Sequence, residues 1–251
     1  MATVEKNVTN PKQRSGSASP DEPPVSTKED RTEPDSLMTE QLRKLRSALA
    51  YQDSLRSMRS VLITSCLPDE GKTTVALNLA VVLAKGVSSS VILVDADLRR
   101  RSLSSSLGLK GRPGLANLLA VDNELKARLV KSEIDNLLVL PAGSRSPNPA
   151  ELIASVRMRT VLQELKEQHE GAYVIIDSTP LVSTSEPNVL MELVDGVLLV
   201  IRAERTRRDI VKRELKSADS RKILGVVLNG ADFEASQYYR KYYTYNPQEK
   251  R

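Results

Sequence analysis

A chain of 251 residues, 40% of them hydrophobic, is long enough to form one large α/β domain with a well-buried core. Its apolar runs are far shorter than the roughly 18–20 residues that cross a bilayer, which favours a soluble chain. The first residues lack the apolar core of a secretory signal, and a single cysteine excludes an internal disulfide, so a reducing cytoplasm is expected. The net charge of +5 comes from scattered Lys and Arg, and we expect no nucleic-acid partner.

Composition divides the chain into three parts. Residues 1–36 are rich in proline, serine, threonine and charge, so we expect them to be disordered. A domain over 37–230 is expected to begin with a helix over 37–57, because apolar residues recur there along one helical stripe. The stripe consists of Met38, Leu42, Leu45 and Leu49. The apolar pattern then stops, and 231–251 are expected to form a flexible, tyrosine-rich tail.

Short apolar runs and helical segments alternate through the domain. We predict strands over 60–64, 91–95, 137–140, 173–177, 196–201 and 223–229. Helices are predicted between most of them, including 71–84 and 148–168, the latter with Asn148 as N-cap and Pro149 at the first helical position. Because the strands are continuously apolar, both faces of the sheet should be covered by helices. The sequence therefore predicts a doubly wound α/β fold with a mostly parallel sheet.

Gly71, Lys72 and Thr73 directly follow the first strand and open the next helix. Glycine permits close approach of an anion, and the N–H groups at the start of a helix point toward it. In a P-loop, the lysine reaches the β- and γ-phosphates and the hydroxyl reaches Mg²⁺. We therefore predict a nucleotide site formed by Pro68, Asp69, Glu70, Gly71, Lys72, Thr73 and Thr74.

The loop departs from the usual P-loop pattern at one position, where Cys66 replaces the first glycine. The simpler interpretation is that a small residue fits the loop. The alternative is a redox switch, in which oxidation of the thiol would block the phosphates.

Two further strands end in carboxylates. Asp95 ends one strand and Asp97 follows two residues later, while Asp177 ends another. In an open parallel sheet the ligand binds at the carboxyl ends of the strands, so we expect these side chains to converge beside the P-loop. Carboxylate oxygens suit Mg²⁺, which normally bridges nucleotide phosphates. The expected metal residues are Thr73, Asp97 and Asp177.

Taken in order, these motifs resemble those of the bacterial tyrosine kinases (BY-kinases) of capsule and exopolysaccharide biosynthesis, in particular the stand-alone cytoplasmic type. The resemblance covers about residues 36–245 and includes "SCLPDEGKTT", "ILVDADLR" and "VIIDSTP". It implies ATP and Mg²⁺ as cofactors, Asp95 as the residue that orients or deprotonates the tyrosine, and Arg99 in the nucleotide site. The catalytic residues that it implies are Lys72, Asp95, Asp97 and Asp177. "DSTP" and Glu186 are small departures, since many members have Asp-Thr-Pro-Pro and an Asp there.

The resemblance extends to the first helix and the tail. "EQLRKLR" matches the family's Glu-x-x-Arg-x-x-Arg oligomerisation motif through Glu40, Arg43 and Arg46. From the residues alone, these side chains would form a solvated polar flank of the helix. The family also has a tyrosine-rich autophosphorylation cluster, here Tyr238, Tyr239, Tyr242, Tyr243 and Tyr245. The resemblance therefore implies phosphorylation of the tail in trans within a ring, such as an octamer.

The resemblance also implies partners. Stand-alone members depend on a membrane polysaccharide co-polymerase that stimulates the nucleotide site, which would bring this chain to the inner face of the membrane. Further expectations are protein substrates in sugar-nucleotide and glycosyl-transfer pathways and a cognate phosphotyrosine phosphatase.

Two alternatives remain open. The first is an ATPase that partitions DNA or positions cell division, although its P-loop would place a signature lysine where this chain has Leu67. The second is a tail that binds a partner through unmodified tyrosines.

Overall fold

The computed structural model describes residues 37–56, 58–86, 90–121, 124–217 and 220–231. The expected disorder of residues 1–36 lies outside the described residues. The five tyrosines of the tail, at positions 238–245, lie outside them as well.

A seven-stranded sheet forms the centre of the domain. Its strands are β1 Ser60–Ser65, β2 Val91–Asp95, β3 Val130–Lys131, β4 Leu137–Leu140, β5 Tyr173–Asp177, β6 Gly196–Arg202 and β7 Ile223–Asn229. Their order is β3-β4-β2-β5-β1-β6-β7, and all neighbours are parallel except β3 and β4. The six predicted strands are confirmed. The sequence missed β3, because two residues are too short to form an apolar run.

The described helices are α1 Leu37–Arg56, α2 Lys72–Gly86, α3 Ser102–Ser106, α4 Leu115–Ala120, α5 Pro149–Ala154, α6 Val156–Gln168, α7 Glu186–Leu193 and α8 Arg208–Ser217. Short 3₁₀ turns cover Leu125–Arg128 and Ser220–Lys222. The predicted helix over 148–168 is two helices, since Ser155 is extended, with φ −70° and ψ 154°. Its hydroxyl donates to the Leu152 carbonyl at 2.7 Å and so competes with the helical backbone pattern.

α5 begins where the sequence predicted, but the expected side-chain cap is missing. Pro149 occupies the first turn, where its missing N–H costs nothing. Asn148 precedes it as the N-cap residue, yet its side chain makes no capping hydrogen bond. Burial of Pro149 and Ile153 against the core holds this short helix in place instead.

Apolar side chains pack on both faces of the sheet, as predicted for a doubly wound fold. One cluster joins the sheet to α4–α7, and the other joins it to α1–α3. The stripe on α1 is largely buried at Leu42 and Leu49, whereas Met38 remains 37% exposed. None of the helices in the described parts of the chain is long and apolar enough to cross a membrane.

The sheet brings three predicted functional segments to one edge. The P-loop follows β1, Asp95 ends β2, and Asp177 ends β5. β5 lies between β1 and β2, and Asp95 and Asp177 are direct neighbours in the register. Because these strands are parallel, their carboxyl ends meet at the same edge, as predicted.

Candidate active site

The P-loop turns sharply into α2 at Gly71. Its φ of 92° lies in the left-handed region that favours glycine. A Cβ at this position would also collide with the side-chain amide of Asn229 at the end of β7. The Val75 N–H donates to the Gly71 carbonyl at 2.9 Å, which starts the helix directly after the turn. Both conformation and space therefore require glycine here.

Glu70 braces the loop from within. It is 1% exposed, and its carboxylate accepts hydrogen bonds from the Leu67 N–H at 2.8 Å and from the Thr206 hydroxyl. The Asn229 amide donates to the Glu70 carbonyl at 2.8 Å. These contacts tie the loop to the segments that follow β6 and β7. The side chain of Glu70 thus shapes the loop, and a contact with nucleotide would come from its backbone.

Two arginines after β2 form ion pairs with neighbouring segments. The Nε of Arg99, predicted to lie in the nucleotide site, donates to Oε1 of Glu186 at 2.7 Å. Burial alone would raise the pKa of Glu186, but its own backbone N–H and Arg99 outweigh that effect and lower it. Arg100 pairs at 2.8 Å with Asp69, whose φ is 61°. The segment after β2 is therefore linked both to the P-loop and to the start of α7.

Lys72 and Asp97 form a buried ion pair between the P-loop and the segment after β2. Lys72 Nζ lies 3.6 Å from Asp97 Oδ2, and the two residues are 5% and 0% exposed. The other oxygen, Oδ1, accepts the Arg100 N–H at 2.9 Å. Lys72 begins α2 and is held there by the Asp97 carboxylate. From this position its ammonium can extend toward phosphate.

Asp95 is fixed by Ser104 on α3. The Ser104 N–H and hydroxyl both donate to Oδ2 of Asp95, at 2.8 and 2.6 Å. The same hydroxyl accepts the Ala142 N–H at 2.9 Å, which connects Asp95 to the loop after β4. Burial raises the pKa of Asp95 to about 6, although the Ser104 hydrogen bonds oppose the shift.

Asp177 is fully buried, and neither of its carboxylate oxygens accepts a hydrogen bond of normal geometry among the described residues. Burial raises the pKa of Asp177 to about 8; the Lys72 ammonium and the nearby Thr73 hydroxyl oppose the shift, whereas the charge of Asp95 adds to it. A buried carboxylate without partners is costly unless a positive group satisfies it.

The carboxylate oxygens that accept no hydrogen bond fit a magnesium ion together with nucleotide phosphates. In the described part of the chain they include Oδ1 of Asp95, both oxygens of Asp177 and Oδ2 of Asp97, which lies 3.6 Å from the Lys72 ammonium. Thr73 follows Lys72 in the first turn of α2. The described residues contain no group of three or more His, Cys, Asp or Glu placed to hold a metal by themselves. Magnesium commonly uses one or two carboxylates and completes its shell with phosphates and water, so this sparse donor set suits it.

Cys66 lies at the end of β1 and is fully buried. Burial, followed by the charges of Glu70 and Glu214, raises the pKa of its thiol to about 12. A protonated, inaccessible thiol is a poor redox sensor. The structure therefore favours the interpretation of Cys66 as a small residue that fits the loop.

The Glu-x-x-Arg-x-x-Arg motif on α1 makes some of its contacts within the chain. Arg43 lies 3.5 Å from the carboxylate of Glu40 in an exposed pair. Arg46 instead donates to the Val82 carbonyl of α2 at 3.4 Å and packs beside Gly86. Glu40 and Arg43 are thus presented on the surface, whereas Arg46 also holds α1 on the domain.

The sequence interpretation assigned no role to Ser104, Thr206 or Asn229, which all shape the site. Asn229 offered a signal, since it is a polar residue at the end of an apolar strand, as are Asp95 and Asp177. Ser104 and Thr206 offered none, because their partners are distant in sequence.

A strand, a phosphate loop, a lysine at the start of a helix and strand-end aspartates together define a P-loop nucleotide-binding protein. Residues 69–213 match the family described as AAA domain. The chain is 34% identical over 215 residues to tyrosine-protein kinase YwqD of Bacillus subtilis, covering 85% of this chain and 90% of that one. It is 30% identical over 212 residues to the putative tyrosine-protein kinase CapB of Staphylococcus aureus, covering 84% and 92%. The chain belongs to the bacterial tyrosine-protein kinase family, which confirms the resemblance.

Solved structures give the same assignment. The chimerical protein CapA2B2 superposes with a TM-score of 0.72 at 30% identity, covering 78% of this chain and 86% of that one. The septum site-determining protein MinD of Pyrococcus horikoshii, complexed with Mg-ADP, has a TM-score of 0.54 at 26% identity, covering 68% and 69%. The kinase domain of Escherichia coli tyrosine kinase ETK gives a TM-score of 0.71 at 30% identity, covering 80% of this chain and 78% of that one. The fold is therefore shared with MinD, but the tyrosine kinase domain is the more similar of the two.

Proposed function

We propose that this chain transfers the γ-phosphoryl group of ATP to the tyrosines of its own C-terminal cluster, in trans within a ring oligomer. The observation that carries the proposal is the buried Lys72–Asp97 pair, which lies at the same edge as two carboxylates with unpartnered oxygens. Phosphoryl transfer needs mainly positioning and charge neutralisation, and this edge supplies both.

Each residue has a stated task in this reaction. The P-loop amides and Lys72 bind and neutralise the phosphates, while Thr73, Asp97 and Asp177 hold Mg²⁺. When bound, the ion neutralises charge that develops on the phosphate oxygens. Asp95 accepts the proton of the attacking tyrosine.

The transfer itself forms one bond and breaks one. The tyrosine oxygen bonds to the γ-phosphorus, the bond from that phosphorus to the bridging oxygen breaks, and ADP leaves with the electron pair. A free tyrosine has a pKa of about 10, so it needs a base near neutral pH. The raised pKa of Asp95, about 6, makes it a better base than an ordinary aspartate.

The tail is long enough to leave its own subunit. The described chain ends at Ala231, and seven extended residues span about 23 Å to Tyr238. In the proposed ring, the exposed Glu40–Arg43 pair on α1 contacts the neighbouring subunit, whose active site receives this tail. Once the whole cluster is phosphorylated, its accumulated negative charge drives the subunits apart.

A membrane partner and a role in polysaccharide synthesis form part of the proposal. The relatives include the succinoglycan biosynthesis transport protein ExoP of Rhizobium meliloti, of which this chain covers only 29%. Most of the length of ExoP lies outside the region that matches this chain. We expect a polysaccharide co-polymerase at the inner membrane face to supply an equivalent activating segment, with other protein substrates and a phosphotyrosine phosphatase acting in the same pathway.

Mass spectrometry after incubation with ATP and Mg²⁺ tests the kinase activity. We expect phosphotyrosine within residues 238–245 of the natural chain and none in Lys72→Met. Hydrolysis of ATP without phosphotyrosine would favour an ATPase switch like the positioning ATPases. Equal phosphorylation of both chains would assign the activity to a contaminant.

A further inference from the structure

A cleft of about 690 Å³ lies beside the candidate active site. It is bounded by α4, the turn Leu125–Arg128 and the loop that follows β4. That loop also contacts the catalytic residues, because Ala142 donates to Ser104, which in turn holds Asp95. The cleft has the size of a typical small-ligand site. It is therefore close to the chemistry but separate from the phosphate loop.

The cleft combines an apolar floor with a cationic rim. Its apolar lining includes Ala116, Ala120, Pro147 and Leu152. Arg128 and Arg145 face the same space, and Glu124 is the acidic residue of the lining. The Nε of Arg128 is buried and has no hydrogen-bond partner among the described residues. The lining thus has a net positive charge and a buried donor in need of an acceptor.

The loop that carries Arg145 is held in a defined conformation. The Asn117 amide donates to the Ser144 hydroxyl at 3.1 Å, and the Ser144 N–H donates back to the Asn117 side chain at 3.1 Å. The Asn148 N–H donates to the hydroxyl of Ser146 at 3.1 Å. Arg145 lies between these two anchored serines, so the backbone that presents it needs little ordering when a ligand binds.

We propose that this cleft binds a phosphotyrosyl side chain from residues 238–245 of a second copy of the chain. The inference rests on the proposed function, which supplies the phosphate. The apolar floor suits an aromatic ring, and two arginines suit a phosphate through charge-assisted, bidentate hydrogen bonds. An inorganic anion would leave the apolar floor unused. An unmodified tyrosine would leave both arginines without an anionic acceptor.

The proposed transfer in trans favours a second copy over the same chain. It brings the tail of a neighbouring copy to this active site, and the loop after β4, which lines the cleft, is linked to Asp95 through Ser104. Within one chain β4 and β7 are five strand positions apart, or about 24 Å, so Tyr238, seven residues after Ala231, would reach the cleft only on a fully extended tail.

Occupancy of the cleft would also favour modification of the whole cluster. Neighbouring tyrosine pairs in "YYRKYYTY" are three or four residues apart, or about 10–13 Å when extended. One bound phosphotyrosine would therefore keep the remaining tyrosines near Asp95. The five sites would be phosphorylated during one encounter instead of five.

A labelled synthetic peptide with the sequence of residues 236–247, phosphorylated at Tyr242, tests this site. Its fluorescence anisotropy is measured with the dephosphorylated full-length chain in the absence of nucleotide. We expect the phosphopeptide to bind at least about tenfold more tightly than the unmodified peptide, and Arg145→Ala to weaken it by about tenfold. Arg128→Leu should have a similar effect, while Arg159→Ala, an exposed arginine of α6, should have none.

Arg145 is exposed, so its replacement should not impair folding, and thermal melting of both variants is measured to test whether they fold normally. Equal affinity for the two peptides, or unchanged binding by Arg145→Ala, would overturn the inference. Inorganic phosphate and free phosphotyrosine are also compared as competitors of the labelled phosphopeptide. Equal displacement by the two would show a simple anion site and would also overturn the inference. The peptide is phosphorylated by chemical synthesis, so its binding to the cleft does not depend on kinase activity of the chain. Failure of the proposed kinase function can therefore be distinguished from failure of the proposed cleft. Absent peptide binding with normal autophosphorylation would reject the cleft alone.

Discussion

The hydroxyl of Ser104 donates to Oδ2 of Asp95 at 2.6 Å, so a helix after β2 fixes the carboxylate proposed to accept the tyrosine proton. Ser104→Ala removes this bond and the acceptor of the Ala142 N–H. We expect kcat to fall about tenfold to a hundredfold, with the KM for ATP nearly unchanged, because Asp95 loses its orientation and the phosphate loop does not. Steady-state kinetics of autophosphorylation measures both.

Ser105→Ala provides the matched control for this variant. Ser105 lies on the same helix and is exposed, so its replacement should leave both constants unchanged. A rise in the KM for ATP at constant kcat in Ser104→Ala would show instead that Ser104 supports nucleotide binding.

Asp177→Asn should stabilise the nucleotide-free protein while abolishing transfer. With a pKa of about 8, the buried carboxyl is mostly protonated in the folded protein at neutral pH, whereas the unfolded chain ionises it. Folding must therefore take up a proton, and a neutral amide avoids this cost. We expect a gain of about 1–3 kcal/mol in the free energy of unfolding, measured by urea denaturation at neutral pH. The stabilisation that Mg-ATP gives the natural chain should disappear in the variant.

Asp209→Asn is the corresponding surface control, since Asp209 pairs with Arg207 in an exposed position. It should change neither stability nor the response to Mg-ATP. Destabilisation by Asp177→Asn would mean that the charge of Asp177 is already satisfied in the free protein.

Cys66 should not react with a soluble thiol reagent in the folded protein. Its thiol is buried and has a pKa of about 12, so it ionises only as the pH rises toward that value. At pH 8 only about one ten-thousandth of this thiol is ionised, whereas about a quarter of an ordinary cysteine with a pKa of about 8.5 is thiolate. Labelling with a chromogenic disulfide at pH 8 should be complete in denaturant and negligible without it. Rapid labelling of the native protein would restore the redox-switch interpretation.

Substitutions in the α1 motif should have two separate effects, one on oligomerisation and one on the stability of the domain. Glu40→Ala with Arg43→Ala removes an exposed pair, so the monomer should keep its stability while the ring dissociates. Arg46→Ala should also lower the melting temperature, because Arg46 binds the Val82 carbonyl of α2. Light scattering and thermal melting of the two variants provide the comparison. An unchanged particle size in the Glu40 and Arg43 double variant would contradict the proposed interface.

The framework of the site could be predicted because it is local in sequence. Continuous apolar runs ending in Asp95 and Asp177, and a glycine-lysine-threonine run at Gly71, place these groups at one edge once the sheet is parallel. The contacts that hold these groups in place join residues that are distant in sequence. Arg99 pairs with Glu186, 87 positions away, and Ser104 bonds to Ala142, 38 positions away. No periodicity or motif in a single sequence records such contacts.

Two local features of the backbone could not be predicted from the sequence either. Ser155 interrupts a segment whose apolar pattern reads as one helix, since its hydroxyl returns to the Leu152 carbonyl. The antiparallel strand β3 pairs only Val130 and Lys131 with β4. A local side-chain hydrogen bond decides the backbone at Ser155, and a pairing of only two residues decides β3.

A mixing experiment tests phosphorylation in trans most directly. An active chain with Phe at all five tail positions 238–245 is incubated with ATP, Mg²⁺ and a Lys72→Met chain whose tyrosines are intact. Transfer between subunits predicts phosphotyrosine on the tail of the Lys72→Met chain. Its absence there, while the natural chain alone becomes phosphorylated, would contradict the proposal.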